Sequence, residues 1–332
     1  MSISIKDIAR RAGVSHSTVS RALTDSPLVN VETKARIRRL AHEMGYSPSA
    51  VARAMSTRRT GTVGVVVTSI ADPFVAEVVR GIEETALDHG YSILLCNSND
   101  DPDREIAAVR ALREKWVDAV IVTASRVGSF YAQLTEIHVP VVLINNQQPG
   151  EYSFSVRSDD FLGGRLVGGY LLGLGHRRIA YISGREAATS SQLRLVGCQD
   201  TLREAGVEIP AQWVVSGDGR PTGGEHAADL LFDQAPYPTA IFCYNDQTAM
   251  GVLCLLRARG LRVPQDVSIV GYDDIDAARY LDPPLTTIAQ AKYELGQRAF
   301  EMVLALIQER QAQDVLLEPE LVVRSSCGAA IQ

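Results

Sequence analysis

The sequence contains few aromatic residues and no long apolar run. Aromatic residues account for 6% of the 332 positions. No stretch reaches the roughly 18 consecutive apolar residues of a transmembrane helix. The first residues, MSISIKDIARR, also lack the apolar segment and small-residue cleavage site of a secretory signal. We therefore expect a cytoplasmic protein that has no membrane partner.

The sequence is also poor in residues that support disulfide, metal or familiar catalytic chemistry. Its five cysteines are scattered and form no C-x-x-C pair, which is typical of reduced thiols rather than of a disulfide scaffold or a zinc site. The six histidines show no metal-ligand spacing, and the usual nucleotide-binding, nucleophile and H-E-x-x-H motifs are missing. We therefore predict no catalytic residue, no metal and no cofactor, and an enzyme remains a minor alternative.

Basic residues are concentrated at one end of the chain. Residues 1–60 contain 11 lysines and arginines against 4 acidic residues, a net charge of +7, whereas the remainder carries −13 within a total of −6. This asymmetry is typical of a nucleic-acid-binding head on an acidic body. The alternative is a solvated basic terminus without a binding role.

Three short helices are predicted within residues 1–47. Ser4 and Asp7 have the spacing of a capping box, and Gly13 is placed to end the first helix because glycine adopts a left-handed conformation at little cost. Ser15 and Asn30 are suited to cap the second and third helices. The tight Gly-Val-Ser turn between the first two helices predicts a helix-turn-helix domain.

The second of these helices is predicted to present a polar face to solvent. Val19 and Leu23 fall on its inner side, and His16, Ser17 and Arg21 fall on its outer side. A helix fits the DNA major groove, where residues near its N-terminus reach base edges and arginine can bind guanine through two hydrogen bonds. The alternative is that these side chains are merely solvated.

Residues 48–61 are predicted to form a hinge helix and a linker. Ser47 and Pro48 suit the start of a helix that continues to residue 56. A helix of about two turns is unstable in isolation, so it would need a partner helix and a ligand surface. A plain linker is the alternative, because STRRTG at 56–61 is typical of linkers.

From residue 62 onward, short apolar runs alternate with helical patterns. One set of runs lies at 63–67, 92–96, 119–122 and 141–144, and a second lies at 179–182, 240–243 and 267–271. Apolar strands separated by helices predict parallel sheets covered on both faces. The fold class is therefore α/β, with two doubly wound parallel-sheet subdomains behind the helix-turn-helix head. A helix at 293–308 and a strand at 320–324 are predicted to return to the first subdomain.

Polar side chains follow several of the predicted strands. Ligands of doubly wound folds bind beyond the carboxyl ends of the strands, here in the cleft between the subdomains. Arg194, Asn245 and Asp273 have the hydrogen-bonding geometry that hydroxyl-rich ligands require, and we predict that they contact a ligand. Asp246 and Asp274 favour a structural role, because aspartate readily caps helices.

Two segments of the head carry a family resemblance that continues through the body. Residues 5–23 (IKDIARRAGVSHSTVSRAL) and 41–55 (AHEMGYSPSAVARAM) closely resemble the lactose-repressor/galactose-repressor family. In the body, the segments that resemble it include 175–184 (GHRRIAYISG), 266–274 (DVSIVGYDD) and 283–290 (PPLTTIAQ). The resemblance implies two subdomains of periplasmic-binding-protein type.

The resemblance also implies partners and site residues. It implies a homodimer on a near-palindromic operator in double-stranded DNA, with the helix at 48–56 entering the minor groove. Met55 stands where the family usually has a leucine wedge. The DNA-binding residues that we predict are His16, Ser17, Arg21, Asn30, Ala54 and Met55. By resemblance, Arg194, Asn245 and Asp273 would contact a small-molecule effector, with Asp72, Phe74, Asn145 and Gln290 nearby.

The function predicted from these features is that of a sequence-specific DNA-binding transcriptional repressor controlled by a small metabolite, with a sugar or sugar derivative as the predicted class. The predicted domains are 1–47 for the head, 48–61 for the hinge and linker, 62–160 plus 291–321 for the N-terminal effector subdomain, and 161–290 plus 322–332 for the C-terminal one. The alternative is a solute-binding protein without a DNA role, against which the basic head and the missing export signal argue.

Overall fold

The computed structural model describes residues 3–46, 59–127, 139–146, 154–185, 188–233 and 235–330. The chain divides into two compact units, residues 1–61 and residues 62–332. The predicted hinge helix at 48–56, with Ala54 and Met55, lies outside the described residues. Within the described ranges, no helix combines the length and the apolar character that crossing a membrane requires.

The first unit contains three helices whose ends follow the predicted capping residues. Helices α1, α2 and α3 span Ile5–Ala12, His16–Leu23 and Val31–Glu43. The Asp7 carboxylate accepts hydrogen bonds from the backbone and the hydroxyl of Ser4, and Gly13 ends α1 at a φ of 65°. Ser15 caps α2 through the amide of Thr18, and Asn30 caps α3. These local predictions are confirmed.

The core of this unit is small and lies where the three helices meet. Ile8 of α1, Val19 of α2 and Ile37 of α3 are fully buried in it. Each of them lies on the apolar side of its helix, so that the polar residues at neighbouring positions face solvent.

The second unit contains two parallel sheets flanked by helices. The first sheet has the order β11-β5-β4-β3-β1-β2 and the second has the order β7-β6-β8-β9. The strands are β1 Thr62–Val67, β2 Ser92–Asn97, β3 Ala119–Thr123, β4 Val141–Ile144, β5 Phe154–Ser158, β6 Ile179–Ser183, β7 Val214–Ser216, β8 Ala240–Cys243, β9 Ser268–Val270, β10 Thr287–Ala289, β11 Val315–Leu317 and β12 Glu320–Val322. Every pairing within these two sheets is parallel, as the apolar strand pattern predicts.

Seven α-helices of this unit lie among the described residues. They are α4 Pro73–Asp88, α5 Pro102–Glu114, α6 Asp160–Gly173, α7 Thr189–Glu204, α8 Pro221–Leu231, α9 Asp246–Ala258 and α10 Lys292–Ile307. The apolar strand residues pack beneath them in separate cores for the two sheets. Two subdomains are thus present, each built around one sheet.

One prediction about the end of the chain is wrong. The sequence predicts that the strand at 320–324 returns to the first subdomain, but β12 pairs antiparallel with β10, and its Leu321 packs on the core of the second subdomain. The strand that returns is β11, which pairs with β5. Asp314 holds it there by accepting the amide of Ser155 at 2.9 Å. Two short apolar runs lie close together here, and an apolar pattern alone does not show which sheet each one joins.

Helices α6 and α7 approach each other closely through two glycines. A Cβ on Gly164 would lie 2.1 Å from the carbonyl oxygen of Arg194, and a Cβ on Gly197 would lie 2.0 Å from that of Phe161. Glycine pairs also stand at the crossings of α4 with α10 and of α8 with α9. The helix spacing therefore depends on the absence of side chains at these crossings.

Asp246 is a buried carboxyl at the start of α9. It accepts the amide of Ile275 at 2.8 Å and the hydroxyl of Thr287 at 2.5 Å, and burial raises its pKa to about 7. Asp274 forms an ion pair with Arg324 at 2.6 Å. Both aspartates hold segments of the second subdomain together, which confirms the structural role predicted for them.

We predict that Gly164→Ala destabilises the second unit by about 1–3 kcal/mol, because the new methyl group overlaps the backbone of α7. The matched control is Gly169→Ala on the same helix, where a Cβ would meet only Thr201 Cγ2 at 3.9 Å. That control should leave stability unchanged or raise it by up to about 1 kcal/mol, since alanine favours helix. Urea unfolding midpoints test the difference, and equal midpoints for the two variants would contradict the close-packing argument.

We predict that Asp246→Asn flattens the dependence of stability on pH. A raised pKa means that the folded chain holds the proton more tightly than the unfolded chain, so this contribution to stability is complete below pH 4 and is lost as the pH rises toward about 7. The asparagine variant should therefore lose less stability than the parent between pH 5 and pH 8.

The matched control for this pH experiment is Asp266→Asn. Hydrogen bonds from Arg262 lower the pKa of Asp266 to about 2, so this carboxyl stays ionised over the range measured. Melting temperatures at pH 5 and pH 8 for the three proteins provide the test. An unchanged slope in Asp246→Asn would show that this carboxyl does not titrate in the window.

Candidate functional site

A cavity of about 740 Å³ lies between the two subdomains. Its walls come from the segments that follow the carboxyl ends of strands in both sheets, which is where doubly wound folds bind ligands. The lining residues are 68, 69, 71, 72, 74, 75, 99, 100, 123–126, 144–146, 185, 188–190, 194, 218–222, 244, 245, 247, 273 and 290. The volume falls within the range of small-molecule sites.

All seven residues predicted to surround a small molecule line this one cavity. The first subdomain contributes Asp72, Phe74 and Asn145, and the second contributes Arg194, Asn245 and Asp273. Gln290 follows β10 on the segment that crosses between the subdomains. The structure thus brings together residues that are more than 200 positions apart in the sequence.

Arg194 is a buried cation held from several sides. It is 3% exposed, its Nε donates to Asp160 at 2.8 Å, and its Nη1 donates to the carbonyl oxygen of Tyr244 at 2.6 Å. Its guanidinium carbon also lies 3.5 Å from the centre of the Tyr272 ring and 4.8 Å from that of Tyr244. The plane of the guanidinium is therefore set before any ligand arrives, which lowers the entropic cost of binding.

Asp273 is held by the crossing segment on the opposite side. Its amide donates to the carbonyl oxygen of Ile288 at 2.7 Å, and its Oδ1 accepts from Gln290 Nε2 at 2.7 Å. Burial raises the pKa of Asp273 well above its ordinary value. The Oε1 atom of Gln290 has no hydrogen-bond partner among the residues that the structure describes. A buried acceptor of this kind is suited to a ligand hydroxyl.

Three of the other predicted residues also form hydrogen bonds that stabilise the local backbone. Asp72 caps α4 by accepting the amide of Phe74 at 2.9 Å, and burial raises its pKa. The Oδ1 of Asn245 caps α9, while its Nδ2 donates to the carbonyl oxygen of Gly219 at 3.0 Å. Asn145 accepts the amide of Ser158 at 3.0 Å. These bonds orient the side chains and leave only part of each polar group for a ligand.

The cavity wall contains equal numbers of aspartates and arginines. Four aspartates and four arginines line it, namely Asp72, Asp100, Asp218 and Asp273, and Arg126, Arg185, Arg194 and Arg220. Arg185 of the second subdomain and Asp100 of the first form an ion pair at 3.8 Å that spans the cleft. The wall thus presents both hydrogen-bond donors and acceptors to a ligand.

Sequence reasoning missed several lining residues. Tyr244, Gln247 and the segment 123–126 all line the cavity. The segment 123–126 includes the last residue of β3 and its continuation, so the same strand-end argument that selected Asn245 would have found it. Tyr244 directly follows β8 and precedes Asn245, so the same argument applies to it.

The predicted DNA-binding residues of the head lie on an exposed surface. His16, Ser17 and Arg21 are exposed on α2, on the side opposite the buried Val19 and Ala22. Asn30 is also exposed and serves as the cap of α3, where it accepts the amide of Thr33 at 2.8 Å. The face of α2 that carries His16, Ser17 and Arg21 is thus exposed.

Comparison with known proteins identifies similar chains over almost the whole length. Residues 4–49 match the model described as bacterial regulatory proteins, lacI family, and residues 169–327 match a periplasmic binding protein-like domain. The chain is 38% identical over 327 residues to the HTH-type transcriptional repressor PurR of Serratia proteamaculans, covering 97% of this chain and 96% of that protein. It is 36% identical to PurR of Klebsiella pneumoniae over 327 residues, which again cover 97% of this chain and 96% of that protein.

Solved structures show the same similarity in three dimensions. The lac repressor dimer bound to operator and the anti-inducer ONPF superposes with a TM-score of 0.90 at 27% identity, covering 99% of this chain and 100% of that one. The regulator CelR in complex with cellobiose has a TM-score of 0.75 at 31% identity, with 98% and 99% covered. A regulator from Enterococcus faecium with bound ribose has a TM-score of 0.74 at 31% identity, with 81% and 100% covered. The family predicted from the sequence is confirmed, and the chain belongs to the lacI family of bacterial regulatory proteins.

Proposed function

We propose that this protein is a sequence-specific DNA-binding transcriptional repressor whose affinity for its operator is controlled by a small metabolite. One observation carries the proposal: the same chain contains a basic helix-turn-helix head with an exposed recognition face and a body with a ligand-sized polar cavity. A solute-binding protein would need only the second of these. Similarity to repressors over 97% of the chain supports the same conclusion.

The head supports the DNA-binding half of the proposal. Residues 1–60, which include the head, carry a net charge of +7 that would attract the phosphate backbone, and such contacts make binding steeply dependent on salt. The exposed Arg21, His16 and Ser17 on α2 are the proposed base-reading residues, and Asn30 is proposed to contact DNA from the start of α3. Ala54 and Met55 remain proposed minor-groove residues on the basis of resemblance alone.

The cavity supports the metabolite-binding half of the proposal. We assign the effector to carbohydrates or their derivatives, because Arg194, Asn245 and Asp273 offer fixed donors and acceptors that suit hydroxyl groups, each of which both donates and accepts. Asp72, Phe74, Asn145 and Gln290 would complete the contacts. The ligands named for two structural neighbours, cellobiose and ribose, are both carbohydrates.

The protein would act as a homodimer on a near-palindromic site in double-stranded DNA. Strand β2 lies at an edge of the first sheet and exposes Leu94 and Leu95, at 39% and 45%. Exposed leucines on an edge strand favour coverage by another chain. Two heads held by one dimer would then recognise two half-sites, as two-fold symmetry requires.

Control by the metabolite follows from linkage between the two sites. A ligand that binds one arrangement of the subdomains more tightly than another shifts the population toward it. The resulting change in operator affinity equals the ligand's differential affinity for the two arrangements. We propose a cytoplasmic location and no catalytic activity, in keeping with relatives that are named as transcriptional repressors.

We predict that Arg21→Ala weakens binding to an operator selected from random DNA by roughly tenfold or more, which corresponds to the loss of a bidentate base contact worth about 1–3 kcal/mol. Binding to unselected DNA should change far less. Fluorescence anisotropy at fixed salt measures both affinities.

The control for this prediction is Arg39→Ala, which removes an exposed arginine from α3. This variant should weaken binding to selected and unselected DNA by similar factors, because it removes charge without removing base reading. Equal losses on both DNAs for Arg21→Ala would show that Arg21 does not read bases. Failure to select any operator at modest salt would overturn the DNA-binding proposal itself.

We predict that Asp273→Asn weakens the binding of the metabolite by at least about tenfold, because a polar partner of the ligand is altered inside a buried site. A thermal-shift screen of a carbohydrate panel that includes D-ribose and cellobiose would identify the metabolite, since a ligand specific for the folded state raises the melting temperature. Asparagine is preferred to a change at Arg194, whose removal would take the neutralising cation away from the buried Asp160 carboxylate.

The control for the metabolite experiment is Asp266→Asn, which alters a half-buried aspartate paired with Arg262 outside the cavity lining. It should bind the metabolite as the parent does. Unchanged affinity in Asp273→Asn would remove Asp273 from the binding site, and a panel without any stabilising carbohydrate would contradict the assigned ligand class.

A further inference from the structure

Lys292 occupies a position that its charge alone would disfavour. It is the first residue of α10, and the N-terminal end of a helix already carries a partial positive charge. The preceding residue, Ala291, provides no side-chain cap. A lysine at this position therefore needs acceptors outside its own helix.

Two backbone carbonyls of another segment provide those acceptors. Lys292 Nζ donates to the carbonyl oxygen of Asp273 at 2.5 Å and to that of Asp274 at 2.8 Å. The carboxylate of Asp274 is engaged elsewhere, by Arg324, and that of Asp273 accepts from Gln290. The Lys292 ammonium group is thus hydrogen-bonded to the backbone of the turn formed by Asp273 and Asp274.

The Asp273–Asp274 turn, to which Lys292 is hydrogen-bonded, has an unfavourable backbone conformation. Asp273 has a φ of 110° and Asp274 a φ of 51°, and residues other than glycine rarely adopt positive φ angles. Strained residues of this kind persist only where surrounding bonds hold them. Because this turn directs the Asp273 carboxyl into the cavity, whatever stabilises the turn also positions that carboxyl.

Lys292 also joins the two subdomains mechanically. Asp273 follows β9 of the second subdomain, whereas α10 packs on α4 of the first, where Gly296 lies against the backbone of Val78. Helix α4 begins beside Asp72 on the facing wall of the cavity. The Lys292 ammonium group therefore connects Asp273, on the wall formed by the second subdomain, to helices α10 and α4, which support the wall formed by the first subdomain.

We propose that Lys292 is a positioning residue, which holds the strained Asp273–Asp274 turn against the start of α10 and so transmits changes at Asp273 to the first subdomain. This inference rests on the proposed function, because it gives the metabolite site its connection to the other subdomain. Lys292 itself does not line the cavity, so its role is exerted through Asp273.

Hydrogen–deuterium exchange of the full chain tests the positioning role without a metabolite or an operator. Lys292→Met keeps the apolar stem and removes the donors, and exchange of the Asp273 and Asp274 amides should accelerate by about tenfold or more. Lys292→Arg retains donors and should stay within about twofold of the parent. Arg298→Met, which removes an exposed cation of the same helix paired with Glu294 and Glu301, should have no effect on this turn.

Two results would overturn the positioning role. One is unchanged exchange at the turn in Lys292→Met, and the other is a uniform acceleration across the second unit that Lys292→Arg does not reverse. If Lys292→Met does not fold, Lys292→Gln replaces it. Glutamine keeps a hydrogen-bond donor but lacks the charge, so an intermediate acceleration is expected, and its absence counts against the proposal.

A double-mutant cycle tests whether Lys292 transmits changes at Asp273 to the first subdomain. Asp273→Asn should change exchange of the Leu295 amide, which donates to the carbonyl oxygen of Ala291 at 2.8 Å in the first turn of α10. The change should fall to less than about half when Lys292→Met is present, because the connecting bonds are gone. An equal change in both backgrounds, or none in either, would overturn transmission through Lys292. Failure to select an operator would overturn the proposed function and leave these exchange results intact.

Discussion

The buried guanidinium of Arg194 is the group on which the second subdomain and its cavity both depend. A cation that is 3% exposed must be neutralised and hydrogen-bonded, because its loss of hydration costs several kcal/mol. Asp160 at the start of α6 and the carbonyl of Tyr244 after β8 meet this need. The same bonds that make burial tolerable bring α6, α7 and the end of β8 together and orient the arginine toward the cavity.

The features that depend on local chemistry were predictable from the sequence. The capping roles of Ser15 and Asn30, the left-handed Gly13 and the α/β alternation each follow from a few neighbouring residues, and the structure contains them. The cavity residues were predictable in part, because parallel strands bring their carboxyl ends to one edge and polar residues at those ends are readily found.

The features that depend on distant partners were not predictable in the same way. Asp160 is an ordinary first-turn acid in the sequence, and only the folded chain shows that it pairs with Arg194, 34 positions away. The wrong prediction that β12, rather than β11, returns to the first subdomain has the same origin, since short apolar strands contain too little information to select a partner. The hydrogen bonds from Lys292 to the carbonyl oxygens of Asp273 and Asp274 depend on backbone geometry that periodicity does not encode.

The close glycine crossings between paired helices have a consequence for how this architecture can diversify. At Gly164 and Gly197 the helices touch backbone to backbone, so a larger side chain there disturbs the frame itself. The cavity walls come mostly from strand-end segments that tolerate change more readily. Substitutions in those segments can alter which metabolite is bound while the helices keep their spacing. Ligand preference can therefore change through many substitutions while the same fold is retained.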